Sequence, residues 1–208
     1  MARYVDVHPD NPQARAIAQV VAAIRDDDAL IAYPTDSGYA LGGRIGSKEI
    51  KERILAIRDL DEHHHFTLVC RDFSQLGQLV HVPNSAFRAI KAMTPGAFTF
   101  ILPATPEVPR RLLHPKKRTV GVRIPDNVVV RALLEELGEP LLTSTLILPG
   151  ETEPRTNGWE VKEELDHVVD IVIEAGEIPA EPTTVIDWSE DAPEVLRQGA
   201  GDASAYVG

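Results

Sequence analysis

Hydroxyl and arginine side chains recur at the ends of the apolar segments of this chain, and their types suit binding chemistry. The stretch YPTDSGYALG, residues 33–42, places Thr35, Asp36 and Ser37 directly after apolar residues 29–32. Residues of the same types end or begin other apolar segments: Arg58, Thr119, Arg123, Thr143, Ser144, Thr145, Thr183, Thr184 and Arg197. No nucleophile and base are paired by the pattern, so we expect the set to bind phosphates and carboxylates rather than to form a covalent intermediate.

These residues also have a purely structural interpretation. Threonine is β-branched, and it is favoured in strands whatever surrounds it. The segment 35–37 is also consistent with an ordinary turn in which Asp36 and Ser37 hydrogen-bond to their own backbone. In the functional interpretation, Pro34 stiffens the end of the strand, and Gly38 allows a conformation or a close approach that a side chain would block.

Apolar periodicity predicts helices and strands in alternation, which would bring the strand ends together. Residues 17, 20, 21 and 24 repeat at helical spacing, and Asn11 and Pro12 predict the start of a helix that runs to about Asp27. Further helices are predicted around 50–57, 87–93 and 127–138, and strands at 29–34, 66–70, 98–104, 119–125, 140–148, 168–176 and 183–187, with a last strand ending near Arg197. This alternation predicts an α/β fold with helices on at least one face of a sheet.

Length and composition predict one folded domain. The chain has 208 residues, of which 43% are hydrophobic and 25% are charged, as in ordinary globular proteins, so we predict a single domain over residues 1–208. The single cysteine, Cys70, excludes an internal disulfide, and no Cys and His residues have the spacing of a metal site. No apolar run is long enough to cross a bilayer, and no signal peptide is indicated, so we expect a cytoplasmic protein without a membrane partner.

Charge is segregated along the chain. The net charge of -11 argues against indiscriminate coating of nucleic acid, because such binding depends on phosphate neutralisation. Residues 132–191 nevertheless hold sixteen acids and two bases, whereas residues 109–125 hold six bases and no acid. The six bases are Arg110, Arg111, Lys116, Lys117, Arg118 and Arg123. The basic stretch indicates either a phosphate-bearing ligand held at one place or a solvated loop with a chance cluster.

Six ordered motifs resemble those of the YrdC-like family, the threonylcarbamoyl-AMP synthase superfamily, and especially its YciO branch. They extend over nearly the whole chain and read YPTDSGYALG, TPGAFTFILPA, TVGVRIPDN, EPLLTSTLILPG, PTTVID and EVLRQG. The resemblance implies a YrdC-like fold, which is a twisted mixed β-sheet with helices packed on it and a concave ligand-binding surface. It also implies a nucleotide-binding protein that forms an adenylate from L-threonine, bicarbonate and ATP and is linked to tRNA modification.

The resemblance gives each matched residue a role. Residues matching the threonine-binding positions are Thr35, Arg123, Thr143 and Thr183, with the arginine placed to pair with the carboxylate. Residues matching the nucleotide-binding positions are Arg58, Thr119, Thr145 and Arg197. ATP is then a substrate, Mg²⁺ is expected with its phosphates, and no tightly bound cofactor is expected. No catalytic residue is assigned, because positioning and charge neutralisation suit this reaction.

Two motifs depart from the family pattern. The family usually has Lys-x-Arg where this chain has Arg58-Asp59-Leu60, and it usually has Ser-Ala-Asn where this chain has Thr145-Leu146-Ile147. If each lost contact to a phosphate is worth roughly 1.5 to 3 kcal/mol, catalysis would be slower by about a hundred-fold to tens of thousands-fold. The neighbouring run His63-His64-His65 supplies possible donors to phosphate or carboxylate, although solvent exposure is the default expectation.

Three functions remain open at this point. The first is an ATP-dependent enzyme that forms threonylcarbamoyl adenylate or a related adenylate, with weak or altered activity. The second is a protein without significant synthase activity that binds double-stranded RNA, tRNA or rRNA through the basic stretch, namely Arg110, Arg111, Lys116, Lys117 and Arg118. The third is a nucleotide-binding enzyme that hydrolyses a different acyl-adenylate.

Overall fold

Within the described residues, ten strands pair into one mixed β-sheet. The computed structural model describes residues 1–62, 64–190 and 192–205. The strands are β1 (Arg3–Asp6), β2 (Ile31–Thr35), β3 (Gly38–Arg44), β4 (Thr67–Val69), β5 (Phe98–Pro103), β6 (Thr119–Arg123), β7 (Leu141–Thr145), β8 (Ile171–Glu174), β9 (Thr184–Asp187) and β10 (Glu194–Arg197). Their order is β1-β8-β2-β3-β7-β4-β6-β5-β9-β10. Parallel pairs are β1–β8, β2–β8, β4–β6 and β5–β9, and the remaining pairs are antiparallel.

Several of the helices begin where a capping side chain accepts a hydrogen bond from the first amide groups. They are α1 (Ala14–Asp26), α2 (Lys48–Arg58), α3 (Phe73–Leu79), α4 (Asn84–Met93), α5 (Val128–Leu137) and α6 (Gly158–Leu165), with a 3₁₀ turn at Arg110–Leu112. Ser47 caps α2, Asp72 caps α3, and Asn127 and Asn157 cap α5 and α6 through their side-chain oxygens. Helix α5 ends at Gly138, whose φ of 74° is left-handed, as expected for a C-terminal glycine.

Helices pack on both faces of the sheet, but they cover the two faces unequally. On the first face, α2, α3, α4 and α6 pack against apolar strand residues that include Leu68, Phe100 and Leu142. On the second face, α1 and α5 pack against Ile31 and Leu141. The strand residues of this second core come from β1, β2, β3, β4, β7 and β8. Strands β5, β6 and β9 therefore extend beyond the cover of α1 and α5.

The predicted mixed α/β fold is confirmed, and several elements need correction. Helix α1 begins at Ala14, with Gln13 as its N-terminal flanking residue, so Asn11 and Pro12 do not start it. Strands β1 and β3 and helices α3 and α6 were not predicted. Strand β9 begins at Thr184 rather than at Thr183. The single domain over 1–208 stays a prediction. In the described part of the chain, no helix has the length and apolar character needed to cross a membrane.

Candidate functional site

Strand alternation places the predicted hydroxyl residues on the second face of the sheet. Thr143 of β7 pairs in register with Gly42 of β3 on one side and with Thr67 of β4 on the other. Thr67 in turn pairs in register with Gly121 of β6. Residues two positions along each strand share that face, which adds Thr145 from β7 and Thr119 and Arg123 from β6. This is the face that α1 and α5 cover in part. This register puts Thr119 and Arg123 on the same face as Thr143 and Thr145.

Arg123 is the centre of this polar region and is only 5% exposed. Its Nη1 donates to Ser37 Oγ at 3.0 Å, and its Nη2 forms an ion pair with Asp36. The other oxygen of Asp36 accepts a hydrogen bond from the backbone N–H of Asp126 at 2.8 Å. The Nε of Arg123 is buried and has no hydrogen-bond partner among the described residues. A buried donor without a partner is costly, so this N–H is suited to an acceptor on a ligand.

The β2–β3 turn combines the structural and the functional interpretations. Thr35 Oγ1 donates to the carbonyl of Gly38 at 2.7 Å and accepts from the N–H of Ser37 at 3.0 Å, so the Thr35 side chain closes the turn. The carboxylate of Asp36 does not take part in these turn hydrogen bonds and pairs with Arg123 instead. Gly38 has a φ of 92°, and a Cβ there would lie 2.5 Å from Pro154. The turn therefore holds Asp36 beside Arg123, and Pro154 closes over it.

Two further hydroxyl contacts extend the region across the sheet. Tyr33 Oη and Thr143 Oγ1 are hydrogen-bonded at 2.8 Å, and burial raises the pKa of Tyr33 to about 12. Thr183 Oγ1 and Thr99 Oγ1 are hydrogen-bonded at 2.9 Å. Both pairs consist of neutral hydroxyl groups, so they add donors and acceptors to the region without adding charge.

Arg197 joins the region from β10. Its Nη2 donates to Thr183 Oγ1 at 3.1 Å, and its Nε donates to the Thr183 carbonyl at 3.0 Å. Its pKa is lowered by burial and, secondarily, by the positive charge of Arg123. Two guanidinium groups that repel each other favour an anion between or beside them. The structure thus associates Arg123, Thr183 and Arg197, which the sequence placed in two different predicted sets.

Arg58 contacts β7 from the opposite face. Its Nη1 donates to Ser144 Oγ at 2.5 Å, and its Nε donates to the Ile147 carbonyl at 3.2 Å. Ser144 alternates with Thr143 and Thr145, so its side chain points toward the face that α2 covers. Burial lowers the pKa of Arg58. The structure therefore does not bring the side chain of Arg58 into the hydrogen-bonded set around Arg123.

His64 completes the contacts of Arg58 and was not linked to Ser144 by the sequence. His64 Nε2 and Ser144 Oγ are 3.1 Å apart, and the His64 ring is half-buried against Phe66. The pKa of His64 is lowered to about 4, mainly by burial and then by the charge of Arg58. No sequence signal indicates this contact, because residues 64 and 144 are far apart in the chain. His63 lies outside the described residues.

His65 has a different environment from His64. It is exposed, and its ring stacks on His114 with the centroids 5.1 Å apart and the planes within 5°. Partial burial of its ring and the neighbouring His114 lower the pKa of His65. The described contacts of the two histidines are thus with other protein side chains.

The basic stretch is only partly available to a ligand. The Arg111 guanidinium contacts the Gly46 carbonyl, and the Lys117 ammonium lies 3.6 Å from Asp187. Arg110, Lys116 and Arg118 are exposed. The segment therefore presents a small cationic surface rather than five equivalent charges.

The described residues form no metal-binding cluster. They contain no group of three or more His, Cys, Asp or Glu side chains arranged to hold a metal ion. Cys70 is buried, and burial raises the pKa of its thiol.

The mixed sheet and the comparison with known proteins define the class of this protein. The Sua5/YciO/YrdC family model, described as telomere recombination, matches residues 23–199, so the chain belongs to this family. YciO of Escherichia coli strain K12 is 48% identical over 207 residues and covers 100% of both chains. The crystal structure of E. coli YciO has a TM-score of 0.95 at the same identity and full coverage.

More distant relatives carry names that state an activity or a ligand. The threonylcarbamoyl-AMP synthase of Bacillus subtilis is 29% identical over 197 residues, which is 93% of this chain and 55% of that protein. The crystal structure of P. abyssi Sua5 complexed with L-threonine is 26% identical with a TM-score of 0.86, and the match covers 94% of this chain and 57% of that one. Family and fold thus relate this chain to the threonylcarbamoyl-AMP synthases.

Proposed function

We propose that this protein is a nucleotide-binding enzyme of the threonylcarbamoyl-AMP synthase type, with activity weakened or altered at its nucleotide site. L-threonine, bicarbonate and ATP are its substrates, Mg²⁺ accompanies the nucleotide, and the product serves tRNA modification in the cytoplasm. The observation that carries the proposal is the polar region around Arg123. There, a buried guanidinium with an unpartnered Nε lies beside a row of hydroxyl groups. The threonine complex of the related P. abyssi Sua5 supports the choice of amino acid.

The reaction needs orientation and charge neutralisation. The threonine amine condenses with bicarbonate to give a carbamate and water. A carbamate oxygen then attacks the α-phosphorus of ATP, the bond to the β-phosphate oxygen breaks, and pyrophosphate leaves. Arg123 would pair with the threonine carboxylate, while Thr35, Thr143 and Thr183 surround the amino acid. Such a site accelerates the reaction by holding the reactants in line and by offsetting phosphate charge.

We expect this site to bind the nucleotide more weakly than it binds threonine. Thr119, Thr145 and Arg197 are proposed contacts on the second face, whereas Arg58 is held on Ser144 and the Ile147 carbonyl. Ile147 has an apolar side chain where the family usually has an amide. We therefore expect turnover that is slow because ATP is poorly held, with threonine binding less affected.

The test is threonine-dependent release of pyrophosphate from ATP and bicarbonate, with mass analysis of the product. Arg123→Lys keeps the charge but removes the planar guanidinium, so we expect at least a tenfold loss of turnover. Lys48→Gln is the control, because Lys48 is 77% exposed, pairs with Glu52 and makes none of the described contacts of Arg123. Turnover that is absent in the wild type, or unchanged in Arg123→Lys, would refute the proposal.

A second candidate function is RNA binding by the same fold. It is favoured by the exposed bases Arg110, Lys116 and Arg118 between β5 and β6, in a chain that is otherwise acidic. A protein that binds tRNA or double-stranded RNA here would not need an intact nucleotide site. Hydrolysis of a preformed acyl-adenylate, the third open function, would be distinguished by product analysis in the same assay.

A further inference from the structure

A cavity of about 240 Å³ lies at the carboxyl ends of the neighbouring parallel strands β4 and β6. Apolar side chains form much of its wall, namely Cys70, Phe73, Pro95, Ile124, Val130 and Leu134. None of the eight residues predicted to bind threonine or nucleotide lines it. Ligands of open α/β sheets bind outside the carboxyl ends of strands, so the cavity occupies a position suited to a ligand.

The rim of the cavity is basic although the protein as a whole is acidic. Arg71, Lys91 and Arg131 line it together with one acid, Asp72. Both oxygens of Asp72 are engaged, one by the Gln75 N–H at 2.8 Å and the other by Arg71 Nε at 2.8 Å. The local charge therefore favours an anion at the mouth, above an apolar interior.

The three bases differ in how far they are already paired. Arg131 lies 3.7 Å from Asp126, and its side chain is 50% exposed. Lys91 lies 5.9 Å from the centre of the Phe87 ring, and no carboxylate among the described residues is within ion-pair distance of it. Lys91 is thus the base best able to bind an incoming carboxylate.

We propose that this cavity is a second ligand site, which binds a small organic carboxylate with an apolar body. At about 30 Å³ for each water-sized group, the volume holds roughly eight non-hydrogen atoms, about the size of hexanoate. The apolar body lies against Ile124, Val130 and Leu134, and the carboxylate faces Lys91 and Arg71. A small ligand with one charged group and an apolar remainder matches a cavity whose wall is apolar and whose rim is basic.

The cavity shares a wall with the candidate active site. Ile124 and Pro125 line the cavity and directly follow Arg123 in the chain. The next residue, Asp126, donates its backbone N–H to Asp36, which pairs with Arg123. An occupant therefore contacts the segment that fixes the Arg123–Asp36 pair without touching the pair itself.

The experiment is a titration of the full chain with hexanoate, followed by amide chemical shifts in an NMR spectrum. We expect saturable shifts at Cys70, Thr94 and Ile124, and at least tenfold weaker binding of hexanamide, which has the same shape without the charge. Saturable shifts at Thr143 and Thr183 instead would overturn the proposal, because the ligand would then be in the candidate active site. Equal binding of hexanamide, or no saturation up to about 10 mM hexanoate, would also overturn it.

Variants at the rim test the role assigned to charge. Lys91→Gln and Arg71→Gln together should weaken hexanoate binding at least tenfold and leave hexanamide unchanged. Both positions are at the surface, so the fold is expected to survive, and Lys48→Gln serves as the exposed control. Undiminished hexanoate binding in the double variant would exclude a carboxylate at this rim. Since the readout needs neither ATP nor threonine, its failure is separate from a failure of the proposed synthase activity.

Discussion

Individual side chains divide the polar residues of this protein between two faces of one sheet. Thr143 bonds to Tyr33 on the face of Arg123, while the adjacent Ser144 bonds to Arg58 and His64 on the other. The shared face of Thr143 and Thr145 could be predicted, because strand alternation alone puts residues 143 and 145 together. The partners of Ser144 could not be predicted, because they come from a loop and a helix end about 80 residues earlier in the chain.

His64 predicts a loss of stability in acid. Its pKa is about 4 in the folded protein and about 6.5 in an unfolded chain, so between these values the unfolded state binds more protons. Stability should therefore fall as the pH decreases from about 6.5 to about 4. Urea unfolding at a series of pH values should show a smaller fall for His64→Gln, which cannot be protonated.

The matched control for this pH dependence is His167→Gln. The side chain of His167 is 80% exposed beside Asp166, so its removal should leave the fall in stability unchanged. If His64→Gln and the wild type lose stability equally between these pH values, then the depressed pKa of His64 is wrong.

At the level of elements, the structure shows why some segments escaped prediction. Strand β3 has the sequence GYALGGR, and its three glycines hide the periodicity of a strand although six of its seven residues are buried. Strand β1 has only four residues with one of them buried, and α3 has seven residues with a glycine inside the helix. Helix α5 was predictable because its apolar repeat is long and both its caps are in the sequence.

The β2–β3 turn predicts a sharp cost for a side chain at Gly38. Its φ of 92° disfavours other residues, and an added Cβ would lie 2.5 Å from Pro154. We expect Gly38→Ala to lower the free energy of unfolding by about 1 to 2 kcal/mol or more. We also expect it to reduce threonine binding. Gly46→Ala is the control, because a Cβ there meets nothing within 4 Å. Denaturant unfolding in which the two variants have equal stability would contradict this role of the turn.

At the level of the whole molecule, long-range pairing determines the site. Strand β8 lies between β1 and β2, and β7 lies between β3 and β4, so neighbours in the sheet are often distant in sequence. Periodicity predicted most of the strands but carries no information on this order, whereas the family resemblance predicted the mixed sheet as a whole. The unequal helix cover, which leaves β5, β6 and β9 beyond α1 and α5, follows from the order and was accessible only in the structure.

The segregated charge predicts a local and salt-dependent contact with RNA. If Arg110, Lys116 and Arg118 bind phosphate, reversal of Arg110 and Lys116 to Glu should weaken binding of double-stranded RNA at least tenfold at low salt. The slope of log affinity against log salt should also become shallower, because fewer counterions are released. Lys48→Glu is the control, since it changes charge outside the basic stretch. Absence of RNA binding by the wild type at low salt would exclude this function.

The side chains of strand β7 alternate between the two faces of the sheet, and the two sets have different surroundings. Its odd-numbered positions 141, 143 and 145 face α1, α5 and the Arg123 region, and its even-numbered positions 142 and 144, like residue 146 after it, face the core under α2. Deletion of one residue within the strand would exchange the two sets, burying hydroxyls among leucines and turning leucines toward the Arg123 region. We therefore expect a single-residue insertion or deletion to be tolerated in the loop that follows β7 but not within β7 itself.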